Sequence, residues 1–390
     1  MTLAASLPRE LRDARLGVTA IFFANGFGIG AWAVAIPEIK ALFGLTDGGL
    51  SLVLLAAGVG GLCAMPVAGV LPPRIGGTGR ALRISGPLFA VLLAALPLMH
   101  VLGGGAAPLF AAAFVFGVVN ILVDVPMNAH ASVVEGRWER AIMSSFHAAW
   151  SFGGLAGSAV GGLLIAAGLG VSAQLAIESA AVFVVALAAS FVIGVGDTHE
   201  GGAFLVLPER KLLAFGLIGL LAVFAEGAVT DWSALYLTSE TGLPAGVAAA
   251  GYSAYALMMV VGRAFGDGVV RRIGRKRVIV YGAGLVFLGA ALVGLGSAAA
   301  GVAGFCLIGL GVANMVPAAF SAAAAAARSP SIGIAMAASM SYAALLIGPP
   351  AFGAIASASS LRAAYAMLLF AAIVIAALAA SQQDARSGGG

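Results

Sequence analysis

The chain has 390 residues, 61% of them hydrophobic and only 9% charged, against roughly 25% charged in soluble domains; with a mean hydropathy of +1.07, this excludes a water-surrounded globule and indicates an integral membrane protein. Apolar residues run unbroken for about 20 positions instead of alternating in the short segments of a transmembrane barrel, so the spans are expected to be helices. The net charge of +4 is read as a report of membrane orientation rather than of nucleic-acid binding. Cys63 and Cys306 both lie inside apolar runs, which argues against a disulfide framework or a Cys/His metal site.

Cutting at charges, prolines and glycine clusters gives twelve apolar segments, near residues 16–36, 48–71, 82–101, 106–130, 141–167, 171–195, 211–237, 245–270, 276–297, 300–327, 331–356 and 361–381. At ~1.5 Å per residue each is long enough for a ~30 Å hydrocarbon core. The first follows Arg9, Arg12 and Arg15 like a signal peptide, but its uncharged run is longer than a typical signal core, so it is expected to be a retained span. Placing both termini in the cytoplasm puts seventeen of the twenty Lys and Arg residues on the inner side, leaving Lys40 and Arg362 outside and Arg263 within a span.

Polar residues inside the spans are costly, so they are expected to face a cavity or each other. In chain order, Asn25 in the first span and Asn314 in the tenth are suited to hydrogen-bonding either a hydroxylated solute or a neighbouring helix. His100 and His130 fall near span ends and are read as interfacial. In the fourth span Asn120, Asp124 and Asn128, spaced by four, form one stripe aimed at a central cavity. Asp124 is the first proton-site candidate, since a carboxylate is expensive to keep ionised in low dielectric. His147 in the fifth span, at comparable depth, is expected to pair with Asp124 and relay its proton. Glu178 in the sixth is open between interhelical bonding and function.

The seventh span carries Glu226, the second proton candidate, and Asp231 five residues on, about 140° away around a straight helix and so a candidate for an outer gate. Trp150, Trp232, Tyr255 and Tyr342 could supply flat faces for a sugar or ring. With Arg263 assigned to an inner gate, no Lys or Arg occupies the middle of a span, which favours neutral or cationic solutes over anions. No nucleotide-binding loop appears, so ATP is not the expected direct energy source.

The halves repeat with a shift of about 200 residues: Phe22–Gly26 (FFANG) aligns with Val223–Gly227 (VFAEG), Trp32 with Trp232, and Arg74-Ile75-Gly76 with Arg272-Ile273-Gly274. The expected organisation is an amino-terminal six-helix bundle over 1–195, a central cytoplasmic loop over 196–210 and a carboxy-terminal six-helix bundle over 211–390. Parallel repeats of this kind suit a transporter with its substrate site near the midplane between two rocking halves.

The loop Gly262–Arg277, GRAFGDGVVRRIGRKR, resembles the signature loop of the major facilitator superfamily in its Gly-Asp step and basic tail. The counterpart at 68–80, AGVLPPRIGGTGR, keeps Arg74, Gly76 and Arg80 but lacks an acid where the family places aspartate. The resemblance implies twelve transmembrane helices in two pseudo-symmetric six-helix bundles, an all-α membrane fold, with Asp267, Arg263 and Arg272 forming an inner gate. Gly153–Gly162, GGLAGSAVGG, resembles the glycine-rich motif of proton-coupled drug antiporters, with Ser158 in place of proline; small residues spaced by four let helices approach closely, and plain packing is the preferred explanation. DVPMN (124–128), FHAAWSFGGLAG (146–157) and EGAVTDW (226–232) resemble the fucose-permease-related sugar branch.

These readings lead to an expected secondary transporter of the bacterial inner membrane, not an enzyme, without cofactor or metal and without nucleic-acid partners. It is expected to act as a monomer in the lipid bilayer, moving a small neutral, sugar-like solute by proton symport. Asp124, Glu226 and His147 are the proton-coupling candidates, and Asn25, Asn120, Asn128, Trp150 and Asn314 the substrate contacts. The alternative is proton-coupled export of drug-like or cationic metabolites.

Overall fold

Lipid offers no hydrogen bonds to a polypeptide backbone, so apolar runs of this length must satisfy their own peptide groups, and helices do so within one segment. A computed structural model of the chain describes residues 8–103, 105–138, 142–194, 212–327 and 330–382, and every regular element among them is helical. The first half comprises α1 (Arg9–Leu42), α2 (Asp47–Ile75), α3 (Thr78–Val101), α4 (Ala106–Trp138), α5 (Met143–Ala166) and α6 (Val171–Val192). The second comprises α7 (Leu213–Ser239), α8 (Ala245–Ala248) with α9 (Ala250–Ile273), α10 (Arg275–Gly294), α11 (Ala298–Val312) with α12 (Met315–Ala326), α13 (Pro330–Tyr342) with α14 (Ala344–Ala358), and α15 (Leu361–Tyr365) with α16 (Met367–Ser381). Among the described residues, twelve helices are long and apolar enough to cross a membrane. The central loop expected at 196–210 lies outside the described residues.

Local chemistry sets several boundaries. Thr46, Ser297 and Ser360 cap α2, α11 and α15 by accepting from the backbone N–H three residues on. The first helix starts at Arg9, not near residue 16, because its opening turn is polar and carries an exposed Arg9–Asp13 pair at 3.6 Å. Its 34 residues exceed what a ~30 Å core requires, so both ends project into the headgroup zone. The tenth span breaks at Ala313 and Asn314, where Pro317 can neither donate to nor clear the Ala313 carbonyl four residues back.

The two halves pack by the same rule. α1 lies on α5 as α7 lies on α13 and α14; α2 lies on α4 as α9 lies on α11; α3 lies on α6 as α10 lies on α16. Two pseudo-symmetric six-helix bundles result. Their spacing depends on glycine at the closest crossings: a β-carbon at Gly153 or Gly157 of α5 would stand 2.2 or 2.1 Å from the Phe23 or Phe27 carbonyl oxygen of α1. The glycine-rich stretch of the fifth span is thus accounted for by backbone-to-backbone packing.

Between the bundles, contact is concentrated toward the end remote from the amino terminus. α5 meets α8 and α9 there, with Ser158 and Ser253 hydroxyls 2.8 Å apart and the Gly246 backbone against Ala166. On the other flank α2 meets α14, where Gly353 lies against Ser51 and Gly48 against Ser357. Pro349 leaves the Leu345 carbonyl without its intrahelical donor, and this oxygen faces Gly58 of α2, 2.5 Å from where a β-carbon would be. α13, the half of the eleventh span nearer the amino-terminal end, packs instead on α7 and α12 of its own bundle.

Candidate functional site

The seam gathers polar side chains where the two bundles part. Asn25, 4% exposed, stands at the meeting of α1, α4 and α5. Its amide donates to Asn120 Oδ1 at 2.9 Å, and its Oδ1 accepts from the Trp150 indole N–H at 2.8 Å. Both ends of the Asn25 side chain are engaged, so it orients Asn120 and Trp150, which are themselves only half-buried and better exposed to a solute.

One turn further along α4, half-buried Asp124 lies near the Tyr342 hydroxyl of α13, in the opposite bundle, which feels its charge. Asn128 Nδ2 donates to the Asp124 backbone oxygen at 2.9 Å and to its carboxylate at 3.3 Å. The expected stripe is therefore a single face, but it divides its work: Asn120 looks to its own bundle and Asp124 across the seam. The expected pairing of Asp124 with His147 does not form. His147 instead packs edge-on against Phe22 of α1 at 5.3 Å between ring centroids and lies within electrostatic reach of Arg263, whereas the neighbours of Asp124 are Asn128 and Tyr342.

From the second bundle α7 presents Glu226, half-buried, near the Tyr255 hydroxyl and the Arg263 guanidinium of α9. Arg263 reaches across the seam, donating from Nη1 to Ser151 Oγ at 2.6 Å, with its guanidinium 5.9 Å from the Trp150 ring centre. This corrects the expectation of an interior without cations: Arg263 departs from the headgroup side and enters the space between the bundles beside Glu226. Arg272 is exposed in the last turn of α9, whereas the side chain of Asp267 lies outside what the structure describes.

Other expected residues prove to be fasteners. Asn314 Nδ2 donates to the Gly262 carbonyl at 2.8 Å, and its side chain fills the space beside Gly266, pinning the broken tenth span to α9. Glu178 is 1% exposed inside the first bundle, receiving the Gln174 amide, which also donates to the Ala31 carbonyl at 3.2 Å. His130, read as interfacial, is instead 2% exposed and 2.9 Å from Thr78 Oγ1, tying α4 to the start of α3. Sequence reasoning did not single out Ser151 or the Ser158–Ser253 contact. A hydroxyl one turn after His147 was the available signal for Ser151. Among the described residues no group of three His, Cys, Asp or Glu side chains is placed to hold a metal ion.

Two repeated six-helix bundles, meeting along a seam that holds carboxylates, an arginine and half-buried aromatic faces, make this the architecture of a membrane transporter. The chain belongs to the Major Facilitator Superfamily, whose profile matches residues 18–345. It is 35% identical over 368 residues to an uncharacterized MFS-type transporter of Yersinia pestis, covering 92% of this chain and 93% of that one. It is 36% identical over 375 residues to the uncharacterized transporter y4wD of Sinorhizobium fredii, covering 94% and 97%. The membrane protein MosC of Rhizobium meliloti is 30% identical over 384 residues, with 96% and 92% covered. Among solved structures, a variant of the nucleoside transporter NupG superposes with a TM-score of 0.77 at 12% identity, over 94% of this chain and 99% of that one. The transporter FucP in its outward conformation gives 0.67 at 16%, over 96% and 100%.

Proposed function

We propose that the chain moves a small neutral, polyhydroxylated solute across the bacterial inner membrane by proton symport, with both termini in the cytoplasm and the bundles rocking about the seam. The observation that carries this reading is the approach of Asp124 to the Tyr342 hydroxyl across the seam. An ionised carboxylate attracts a phenol hydroxyl more strongly than a protonated one does, so proton uptake at Asp124 weakens a contact that rocking must part. Glu226 beside Arg263 offers the second proton-sensitive pair, with His147 modulating Arg263 from α5.

The balance of charge supports a neutral solute. Among the described residues Arg263 is the one cation beside these acids and is engaged with Glu226 and Ser151, which leaves no free positive charge for an anion, while Asn120, Asn128, Trp150 and the tyrosine hydroxyls supply hydrogen bonds and a flat face. NupG is named as a nucleoside transporter, a solute class with the same combination of hydroxyls and a flat ring. The positive-inside bias puts the amino-terminal end in the cytoplasm, which makes the conformation described here closed outward. The basic tail of α9 then lies at the inner face, where Arg272 and Asp267 belong to the proposed gate, with Arg263 reaching deeper between the bundles.

Counterflow and proton-gradient-driven uptake in proteoliposomes, with a panel of labelled sugars, nucleosides and lipophilic cations, tests this reading. Symport predicts accumulation of one neutral solute under an inward proton gradient. Accumulation of a cation under an outward-directed proton gradient, with no neutral solute moved, would overturn it in favour of antiport.

A further inference from the structure

Asp231 is a buried-side acid that the central site leaves unused. It lies on α7 five residues beyond Glu226, and it borders a cavity of ≈ 30 Å³ between α7 and α14, about the room one water needs. The remaining lining is apolar: Phe224, Trp232, Leu345, Pro349 and Phe352 among others. No hydrogen bond or opposite charge supports the carboxylate, a costly arrangement for an ion at this depth. Trp232 and Phe352 close one side, their ring centroids 5.1 Å apart.

The cavity wall is also the outer seam. Leu345 lines the cavity and turns its carbonyl to Gly58 of α2, while Gly353, beyond Phe352 on the same helix, lies against Ser51. α14 is thus held between Asp231 and the first bundle, and it cannot leave α2 without disturbing the lining of the cavity. Its partner half α13, joined to it through Ala343, ends in Tyr342, the residue that lies near Asp124 across the seam.

We propose that Asp231 is a separate proton-binding site that locks the outer seam: it holds a proton while α14 is closed on α2 and releases it to outside water when the seam opens. The ligand is a proton because Asp231 is the only carboxylate among the described residues of the cavity lining, which provides no second oxygen side chain for a metal cation, and such an ion would need several. Opening admits water to an ionised Asp231, so the open state is the one with fewer protons bound. By linkage, acid then favours closure and alkali favours opening.

The other groups facing α7 do not duplicate this behaviour. Tyr252 of α9 and Tyr365 of α15 are near enough to feel the Asp231 charge, but Tyr365 donates to the Ala228 carbonyl at 2.9 Å and phenols remain neutral in the relevant range. Farther along α7 or its neighbours stand Glu226, with Arg263 and Tyr255, and at the outer end Glu240 paired to Arg362 at 3.2 Å. α13 contributes Tyr342 and α11 Cys306, α1 contributes Glu38 and Lys40 near its outer end, and α8, α12, α14 and α16 contribute no charge.

The proposal depends on alternating access and not on the solute or on coupling through Asp124. It is tested on the full chain in nanodiscs carrying nitroxides at Ala41→Cys and Ser359→Cys, exposed sites on opposite bundles at the outer end, after Cys63 and Cys306 are replaced by Ala. Pulsed electron–electron distance measurement then reads the closed fraction directly. We expect the short-distance fraction to fall by about half or more between about pH 5 and about pH 9, Asp231→Asn to stay closed throughout, and Asp231→Glu to keep the transition. A transition retained in a folded, monodisperse Asp231→Asn protein overturns the proposal. So does loss of the transition in both Asp231→Glu and Asp231→Asn, which marks mere packing, or a shift that follows sodium or potassium at fixed pH. Failure of symport alone would leave these distances unchanged.

Discussion

Asn25 shows how one buried side chain can govern a site that it does not expose. Replacing it with Ala removes an acceptor from the Trp150 indole and a donor from Asn120, and unpaired buried partners cost about 1–3 kcal/mol in total stability. We expect Asn25→Ala to lower the melting temperature of detergent-purified protein and to weaken solute affinity together, as read by a thermal-shift titration with the transported solute. A pure substrate contact would lower affinity without moving the ligand-free melting temperature. Asp124→Asn should behave differently: gradient-driven uptake falls by at least about tenfold while counterflow, which needs no net proton movement, persists. Equal loss of both modes would remove Asp124 from proton coupling. The identity of these residues as polar groups inside spans was legible from sequence, since charge and amide stand out in apolar runs. Their partners were not, because Asn25 meets residues 95 and 125 positions away, and no periodicity within one helix reports that. The same distance in sequence concealed Tyr342 as the neighbour of Asp124 and led to His147 instead.

At the scale of elements, α5 carries the most constrained surface, with its glycines on α1 along one side and on α8 and α9 along another. Gly157→Val places two methyl groups against the Phe27 carbonyl, and such overpacking costs about 1–3 kcal/mol or more; we expect a smaller yield of monodisperse protein. Ser158→Ala, which deletes only a hydroxyl facing Ser253 at 2.8 Å, should retain yield but loosen the outer seam, visible as faster labelling of a cysteine placed at Ala249, which is buried against Gly162 in the same seam. Unchanged labelling would show that the Ser158–Ser253 contact carries no weight in closure. Hydropathy made the twelve spans readable, since a bilayer imposes a length and a composition on each. The break in the tenth span could be foreseen from Pro317, but the interruption at Ala343 has no nearby residue that demands it. There the eleventh span answers to two different surfaces, α7 and α12 on one half and α2 on the other, and tertiary packing of that kind leaves no local mark.

For the whole molecule the seam is the moving part, and its geometry allows transport to be stopped by a single bond. Gly48 at the start of α2 and Ser357 near the end of α14 approach so closely that a β-carbon on Gly48 would lie 3.2 Å from Ser357 Oγ, within the reach of a disulfide, whose β-carbons stand about 3.5–4.5 Å apart. The two positions belong to different bundles and sit at the outer end, so Gly48→Cys with Ser357→Cys, in a background lacking Cys63 and Cys306, ties the bundles together only where rocking must part them. A covalent tie of this kind removes the open state without touching Asp124, Glu226 or Arg263. We therefore expect oxidation to abolish uptake and counterflow while leaving binding from the inner face intact, and reduction to restore transport to the level of the reduced control. Each single-cysteine variant controls for the loss of glycine and serine. Undiminished counterflow through fully cross-linked protein would mean that the solute passes without parting α2 from α14, and the alternating opening of this seam would have to be abandoned.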